Sequence, residues 1–233
     1  MPVPSALQQV QSESRERLYP SLSNPNWLIL RRRRQIFEAG LTRLPGNAVS
    51  VLDVGGRLQP YRPLLGWRTK SYVAVDRQMT PLVNIRGTAE ALPFQDEQFD
   101  LVICMEVFEY LPEPGLAVAE IERVLRKGDI FFLSAPSVFL RENDKEYWRF
   151  LPEGLRQLLR EFEAVNVTSE GNSLTGFFRT CNVFSVSFFR PRILAPLWRW
   201  TFILFLNVVG RVLEPIARDN DQFAANYSVW ARK

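Results

Sequence analysis

Apolar runs that stop on an acid carry the strongest chemical signal in this sequence. VLDVGG (51–56) runs into Asp53 and then Gly55 and Gly56, and YVAVD (72–76) ends on Asp76. In an open α/β sheet, ligands bind outside the carboxyl ends of the strands. There a glycine turn lets backbone approach the ligand, and an acid about 20 residues on accepts both hydroxyls of a ribose. Asp53 and Asp76 fit that layout, so an adenosine-containing ligand is expected.

Two ligands share the layout. A dinucleotide carries a pyrophosphate, which calls for G-x-G-x-x-G and a helix N-terminus aimed at the phosphates. Here the turn reads Gly55-Gly56-Arg57-Leu58-Gln59-Pro60, without the second and third glycines of that fingerprint. S-adenosylmethionine has no phosphate and needs only small residues for close approach, so the turn favours it. For this turn taken alone, a buried strand ending in an ordinary Gly-Gly turn is the bland alternative.

The stretch 87–136 narrows the choice. Its pieces AEALPF (89–94), FDLVIC (99–104), EVFEYLP (106–112), EIERVL (120–125) and KGDIFFLSAP (127–136) resemble, in order and spacing, the central block of class I S-adenosylmethionine-dependent methyltransferases of the type 11 kind. The resemblance runs from Val51 to about Glu170 and returns at NYSVWARK (226–233), which looks like a last strand. It implies an α/β, Rossmann-like, doubly wound sheet of seven strands, mostly parallel, with the last antiparallel. It also implies S-adenosylmethionine as cofactor and direct in-line transfer of its methyl group.

By the same resemblance, Asp53 orients the turn near the methionine part of the cofactor, and Gly55 and Gly56 permit backbone contact. Asp76 takes the ribose hydroxyls, and Thr88, Ala89 and Glu90, after Gly87, flank the adenine. Met105 and Glu106 lie beside the reactive end. Three positions depart from the family: Arg57 replaces a usual glycine, Thr88 stands where many relatives carry Asp, and Tyr110 where they often carry His. An arginine at position 57 could itself pair with the cofactor carboxylate. EYWRFLPEGLRQLL (146–159) resembles a D-Y-x-R-F-T-P-E-G-L stretch of methyltransferases linked to glycan or lipid-linked saccharide pathways. It makes Tyr147, Trp148 and Arg149 candidates to bind the acceptor. Glu106, Tyr110 and Glu146 are the candidate catalytic residues, with Tyr110 or Glu146 taking a proton from a hydroxyl acceptor. A small-molecule, glycan or lipid-type acceptor is expected. The rivals are a methyltransferase-like binding module without catalysis and, behind it, a nicotinamide-dependent oxidoreductase.

The elements that must position these residues are legible as alternation of strand and helix. Strands are expected at 49–54, 71–76, near 82–85, at 99–104, 129–135 and about 163–169. The runs 101–104 and 130–133 are continuously apolar, as strands buried on both faces are. Helices are expected over 27–44, 114–126 and 151–162. Residues 1–26 read as a flexible arm and 27–233 as one domain. Between the sixth and last strands, 171–222 form an aromatic and basic helical insertion. Its stretch WTFILFLNVVG (200–210) is too short for a confident membrane span. It leaves three readings: a buried helix over the sheet edge, a lid, or an in-plane membrane-surface helix, with peripheral contact through 193–213.

Composition sets the bounds. The 233 residues, 46% of them apolar, suit one α/β domain with additions. There is no histidine, which removes the usual general base and any Ser/Cys-His arrangement, and no metal site is expected. Methyl transfer tolerates that, because the protein mainly positions the two reactants. Cys104 sits in an apolar run and reads as a core residue. Two distant cysteines and no apolar leader point to a reducing, cytoplasmic setting. The formal net charge of +4 permits an anionic partner without demanding one. Arg31–Arg34 reads as a solvated face rather than a nucleic-acid patch.

Overall fold

The computed structural model describes residues 5–141, 144–188, 195–217 and 220–233. Seven strands form one sheet in the order β3-β2-β1-β4-β5-β7-β6. They are β1 (Val49–Val54), β2 (Thr69–Asp76), β3 (Ile85–Arg86), β4 (Phe99–Met105), β5 (Leu125–Pro136), β6 (Ala164–Ser169) and β7 (Asn226–Arg232). β1 to β5 run parallel, and β7 is antiparallel to both β5 and β6. This is the expected mixed sheet with an antiparallel last strand. The short third strand lies at 85–86 rather than 82–85, because Asn84 turns its side chain back to accept from the Ala74 amide.

Alternation splits the strands between two cores. On one face Leu52, Val54, Val102 and Phe131 pack beneath α4 (Pro114–Val124) and α5 (Pro152–Leu158). On the other, Val51, Leu101, Ile103 and Phe132 pack beneath α2 (Trp27–Gly40) and the short α3 (Arg62–Leu65). Phe37 of α2 is fully buried there, its ring centroid 5.0 Å from those of both Tyr61 and Phe132. Burying one such ring contributes about 2–3 kcal/mol. Helices on both faces of a mostly parallel sheet make the doubly wound architecture.

Residues 1–26, read above as an arm, contain α1 (Ala6–Leu18). A reciprocal cap starts this helix: Ser5 Oγ accepts from Gln8 N at 3.3 Å, and Gln8 Oε1 accepts from Ser5 N at 2.8 Å. The segment between β6 and β7 is helical in its described parts, with α6 (Ser173–Phe188), α7 (Ala195–Trp198), a π turn (Arg199–Ile203) and α8 (Leu204–Leu213). Residues 193 and 194 of the expected membrane-contact segment lie outside the described residues.

The expectation that Arg31–Arg34 faces solvent is overturned. Arg32 alone of the four is exposed, while Arg33 is buried at 5% exposure and Arg31 pairs with Glu214 at 2.5 Å. The apolar stripe of α2 turns Arg33 under the sheet edge, where two carboxylates meet it.

Candidate functional site

The strand order reverses between β1 and β4, and ligands of open α/β sheets bind at such a switch point. A cavity of about 1230 Å³ opens there, at the carboxyl ends of the strands. Asp53, Gly55, Gly56, Arg57, Asp76, Thr88, Ala89, Met105, Glu106, Tyr110, Glu146 and Arg149 all line it. Glu90, Tyr147 and Trp148 do not. Glu90 turns toward Arg77, 3.7 Å away, and the Trp148 ring N–H donates to the Leu111 carbonyl at 2.8 Å. Tyr147 is 58% exposed, outside the cavity wall.

The glycine turn is sterically constrained. Gly55 has φ +77°, and a Cβ there would lie 2.2 Å from Val107 Cγ2. Gly55 and Gly56 both donate to the Val75 carbonyl, which ties the turn to β2. Asp53 is buried and accepts from the Tyr72 hydroxyl at 2.6 Å. Burial pushes its carboxyl up to about 7, against the Tyr72 hydrogen bond. Asp76 is half-buried at the end of β2, one oxygen accepting from Gln78 N at 2.7 Å. Arg57 turns its guanidinium to Gln78, at 3.3 Å. An acceptor-only carboxylate, a bare turn and the backbone of Thr88–Ala89 along one wall suit a ribose and an adenine. The residues present therefore fit S-adenosylmethionine.

Glu106 follows β4 with φ +54°, a costly conformation for a residue with a side chain. Its neighbours hold it. Glu106 Oε1 accepts from Arg33 Nη2 at 3.0 Å, Ser134 Oγ at 3.1 Å and Asn226 Nδ2 at 2.9 Å. Behind it, fully buried Glu170 accepts from Arg33 Nε at 2.8 and 2.9 Å, and from Ser134 and Ser228 hydroxyls at 2.7 Å. Burial raises the Glu170 carboxyl above its ordinary value, against the attraction of Arg33. Burial also works against the Arg33 charge, but Glu106 and Glu170 more than offset it and hold the guanidinium protonated.

Sequence reasoning missed Arg33, Glu170, Glu109 and Arg17. Glu170 follows β6, whose residues AVNVTS mix polar with apolar, so no apolar run pointed to it. Arg17 of α1 is open to the cavity's water yet ringed by protein, which lowers its pKa. Glu109 lines the cavity at 3% exposure, and its Oε2 has no hydrogen-bond partner among the described residues. Burial, and then the nearby Glu106 charge, push its carboxyl well above the ordinary 4.5. A raised acid binds its proton more tightly folded than unfolded, so its stabilising contribution is complete below pH 4.5 and shrinks as pH rises above it. Glu109→Gln is therefore expected to gain stability over wild type as pH rises, by up to about 1.4 kcal/mol per pH unit. Urea unfolding of both proteins at pH 5 and pH 8 checks this; equal differences at the two values would refute it.

On the rim, Glu146 pairs with Arg149, and the Tyr110 hydroxyl lies 3.5 Å from Glu146 Oε1. Among the described residues, no group of three or more His, Cys, Asp or Glu side chains is placed to hold a metal ion.

Sheet order, antiparallel β7 and a ligand cavity at the switch point define the class I, Rossmann-like methyltransferase fold. Known proteins agree. Residues 65–133 match the family described as "Methyltransferase domain". The phthiotriol/phenolphthiotriol dimycocerosates methyltransferase of Mycobacterium tuberculosis is 43% identical over 61 residues, which is 26% of this chain and 21% of that protein. A probable S-adenosylmethionine-dependent methyltransferase of Mycolicibacterium smegmatis is 29% identical over 132 residues, 52% of this chain and 50% of its own length. The matched stretches thus span between about a fifth and a half of these relatives. The crystal structure of the [4+2]-cyclase SpnF superposes with TM-score 0.57 over 100% of this chain and 98% of its own, at 19% identity, a likeness of fold alone. The partial family match and these relatives support a class I S-adenosylmethionine-dependent methyltransferase.

Proposed function

We propose that the protein transfers the methyl group of S-adenosylmethionine to a small-molecule, glycan or lipid-type acceptor. The observation that carries this reading is one cavity lined by Asp53, Gly55, Asp76, Thr88, Ala89 and Met105, with Tyr110 and Glu146 on the same wall. When bound, S-adenosylmethionine supplies a methyl group on a positively charged sulfur, open to in-line displacement. Asp76 would hold the ribose, the Gly55–Gly56 turn the methionine portion, and Thr88 and Ala89 the adenine edge. Glu146, or Tyr110 beside it, would accept the proton that a hydroxyl acceptor gives up. α1 and α2 would shield the reacting atoms from water, with Arg17 offering a cation to an anionic acceptor group.

The lipid-type alternative draws support from the Mycobacterium tuberculosis relative, a phthiotriol/phenolphthiotriol dimycocerosates methyltransferase, and the saccharide alternative from the polar rim. Calorimetric titration with S-adenosylmethionine and with its demethylated product tests the cofactor: micromolar binding of both is expected, and no heat with either would defeat the reading. A second reading, a methyltransferase-like protein that binds without methylating, draws on Arg57, Thr88 and Tyr110 and on the cyclase that shares this fold. Methyl transfer from isotope-labelled cofactor to any acceptor would exclude it.

A further inference from the structure

α8 and the π turn before it are apolar nearly all the way round, yet only one side of them packs. Ile203, Asn207 and Gly210 face inward, with Gly210 close against Leu28 and Phe178. Buried Asn207 fixes that orientation. Its Nδ2 donates to the carbonyls of Leu22 at 2.7 Å and Asn24 at 2.9 Å, and its Oδ1 accepts from Asn182 of α6 at 2.9 Å. The helix cannot roll without leaving a buried amide unpaired. Its opposite side therefore shows water Phe205, Val208 and Val212, at spacings of three and four, with Trp200 and Leu197 a turn or two earlier. Phe205 is 61% exposed and Trp200 63%. A helix apolar all round belongs in a core or against a membrane.

Charge selects the partner. From residue 171 to 217 the sequence carries five arginines and one glutamate, Glu214. Exposed Arg199 and half-exposed Arg211 bracket the apolar stripe. Glu214 is shared by Arg31 and Arg211, so the edge stays net positive. A second copy of the same surface would oppose one basic edge to another, whereas an anionic bilayer complements both charge and apolarity. A tryptophan at the stripe's end suits the headgroup level. Among the described residues no helix is long and apolar enough to cross a membrane, so this one would lie in the plane.

We propose that the outer face of the π turn and α8 docks the protein onto the surface of an anionic lipid bilayer. α6 links that face to the cavity: Arg179 lines the cavity, while Phe177 and Phe184 of the same helix are exposed. Docking would thus bring the cavity close to molecules held in the bilayer. The proposal does not depend on the cofactor, and its failure would leave the proposed methyl transfer untouched.

The test is sedimentation of the full chain with vesicles of phosphatidylglycerol and phosphatidylcholine, and with phosphatidylcholine alone. Binding to the first, weakened by salt and at least about tenfold weaker for Phe205→Glu/Val212→Glu, is the expected result. Leu116→Glu, at an exposed site on α4, should bind like wild type. Quenching of tryptophan fluorescence by lipids labelled near the headgroup, lost in the double variant, gives a second readout. No wild-type binding at low salt, or equal binding by the double variant, overturns the proposal. So does a concentration-dependent dimer that the double variant abolishes in the absence of vesicle binding.

Discussion

Replacing Arg33 by methionine is expected to lower the unfolding free energy by about 3–5 kcal/mol, the cost of leaving buried charge unpaired. Arg33 is the only cation hydrogen-bonded to Glu170 among the described residues, and it also braces Glu106. Without it, the two carboxylates face each other across the Ser134 hydroxyl, whose single hydrogen serves one of them at a time. The loss should depend on pH with a definite sign. Folding already raises the Glu170 carboxyl, and removing the guanidinium raises it further. A group raised in this way retains its stabilising contribution below the ordinary carboxylate range and loses it as pH rises through the folded value. The variant should therefore be nearest to wild type in acid and furthest from it above neutrality. Glu170→Gln in the same chain should restore part of the loss, because the amide removes the orphaned charge at nearly constant volume. Denaturant unfolding of wild type, the single variant and the double variant at pH 5 and pH 8 measures all of this. A single variant as stable as wild type at pH 8 would show that Arg33 is replaceable by packing. A double variant no better than the single would show that Glu170 is not where the penalty falls.

The same cluster shows what the sequence displayed and what it hid. Strands buried on both faces announce themselves, because nothing polar interrupts 101–104 or 130–133. Asp53 and Asp76 were visible because each ends such a run. Glu170 follows β6, where Asn166, Thr168 and Ser169 interrupt any apolar run, so the same rule passes it by. Arg33 could not be found that way. Four consecutive arginines look like a solvated face, and what buries the third of them is a carboxylate 137 residues along the chain. Pairing across that separation is a property of the fold. α1 was readable in part: Ser5-Ala6-Leu7-Gln8 is a capping-box pattern, but polar composition masked it. The insertion was legible as helical and apolar. Which of its sides would be covered was not, because that depends on Asn207 finding Leu22, Asn24 and Asn182.

Asp76→Ala should raise the dissociation constants for S-adenosylmethionine and its demethylated product about 10–100-fold. Two hydrogen bonds from ribose hydroxyls to a carboxylate are at stake, each worth about 1.5–3 kcal/mol before the water that replaces them is counted. Every 1.4 kcal/mol is tenfold in affinity, so a net loss of about 1.4–2.8 kcal/mol follows. The fold should tolerate the change. Asp76 is half-buried at a strand end, and its side chain accepts a local bond from Gln78 N at 2.7 Å. The unliganded melting temperature is thus expected to move by only a few degrees. A cycle with 2′-deoxyadenosine analogues isolates the contact. Deleting the 2′-hydroxyl should cost wild type about half of what the mutation costs, and should cost the variant little, because the pair then shares one interaction energy. Additive losses would place the ribose elsewhere. Unchanged affinity in the variant would remove Asp76 from the cofactor site, and with it the assignment of the second strand end on which the adenosine reading began.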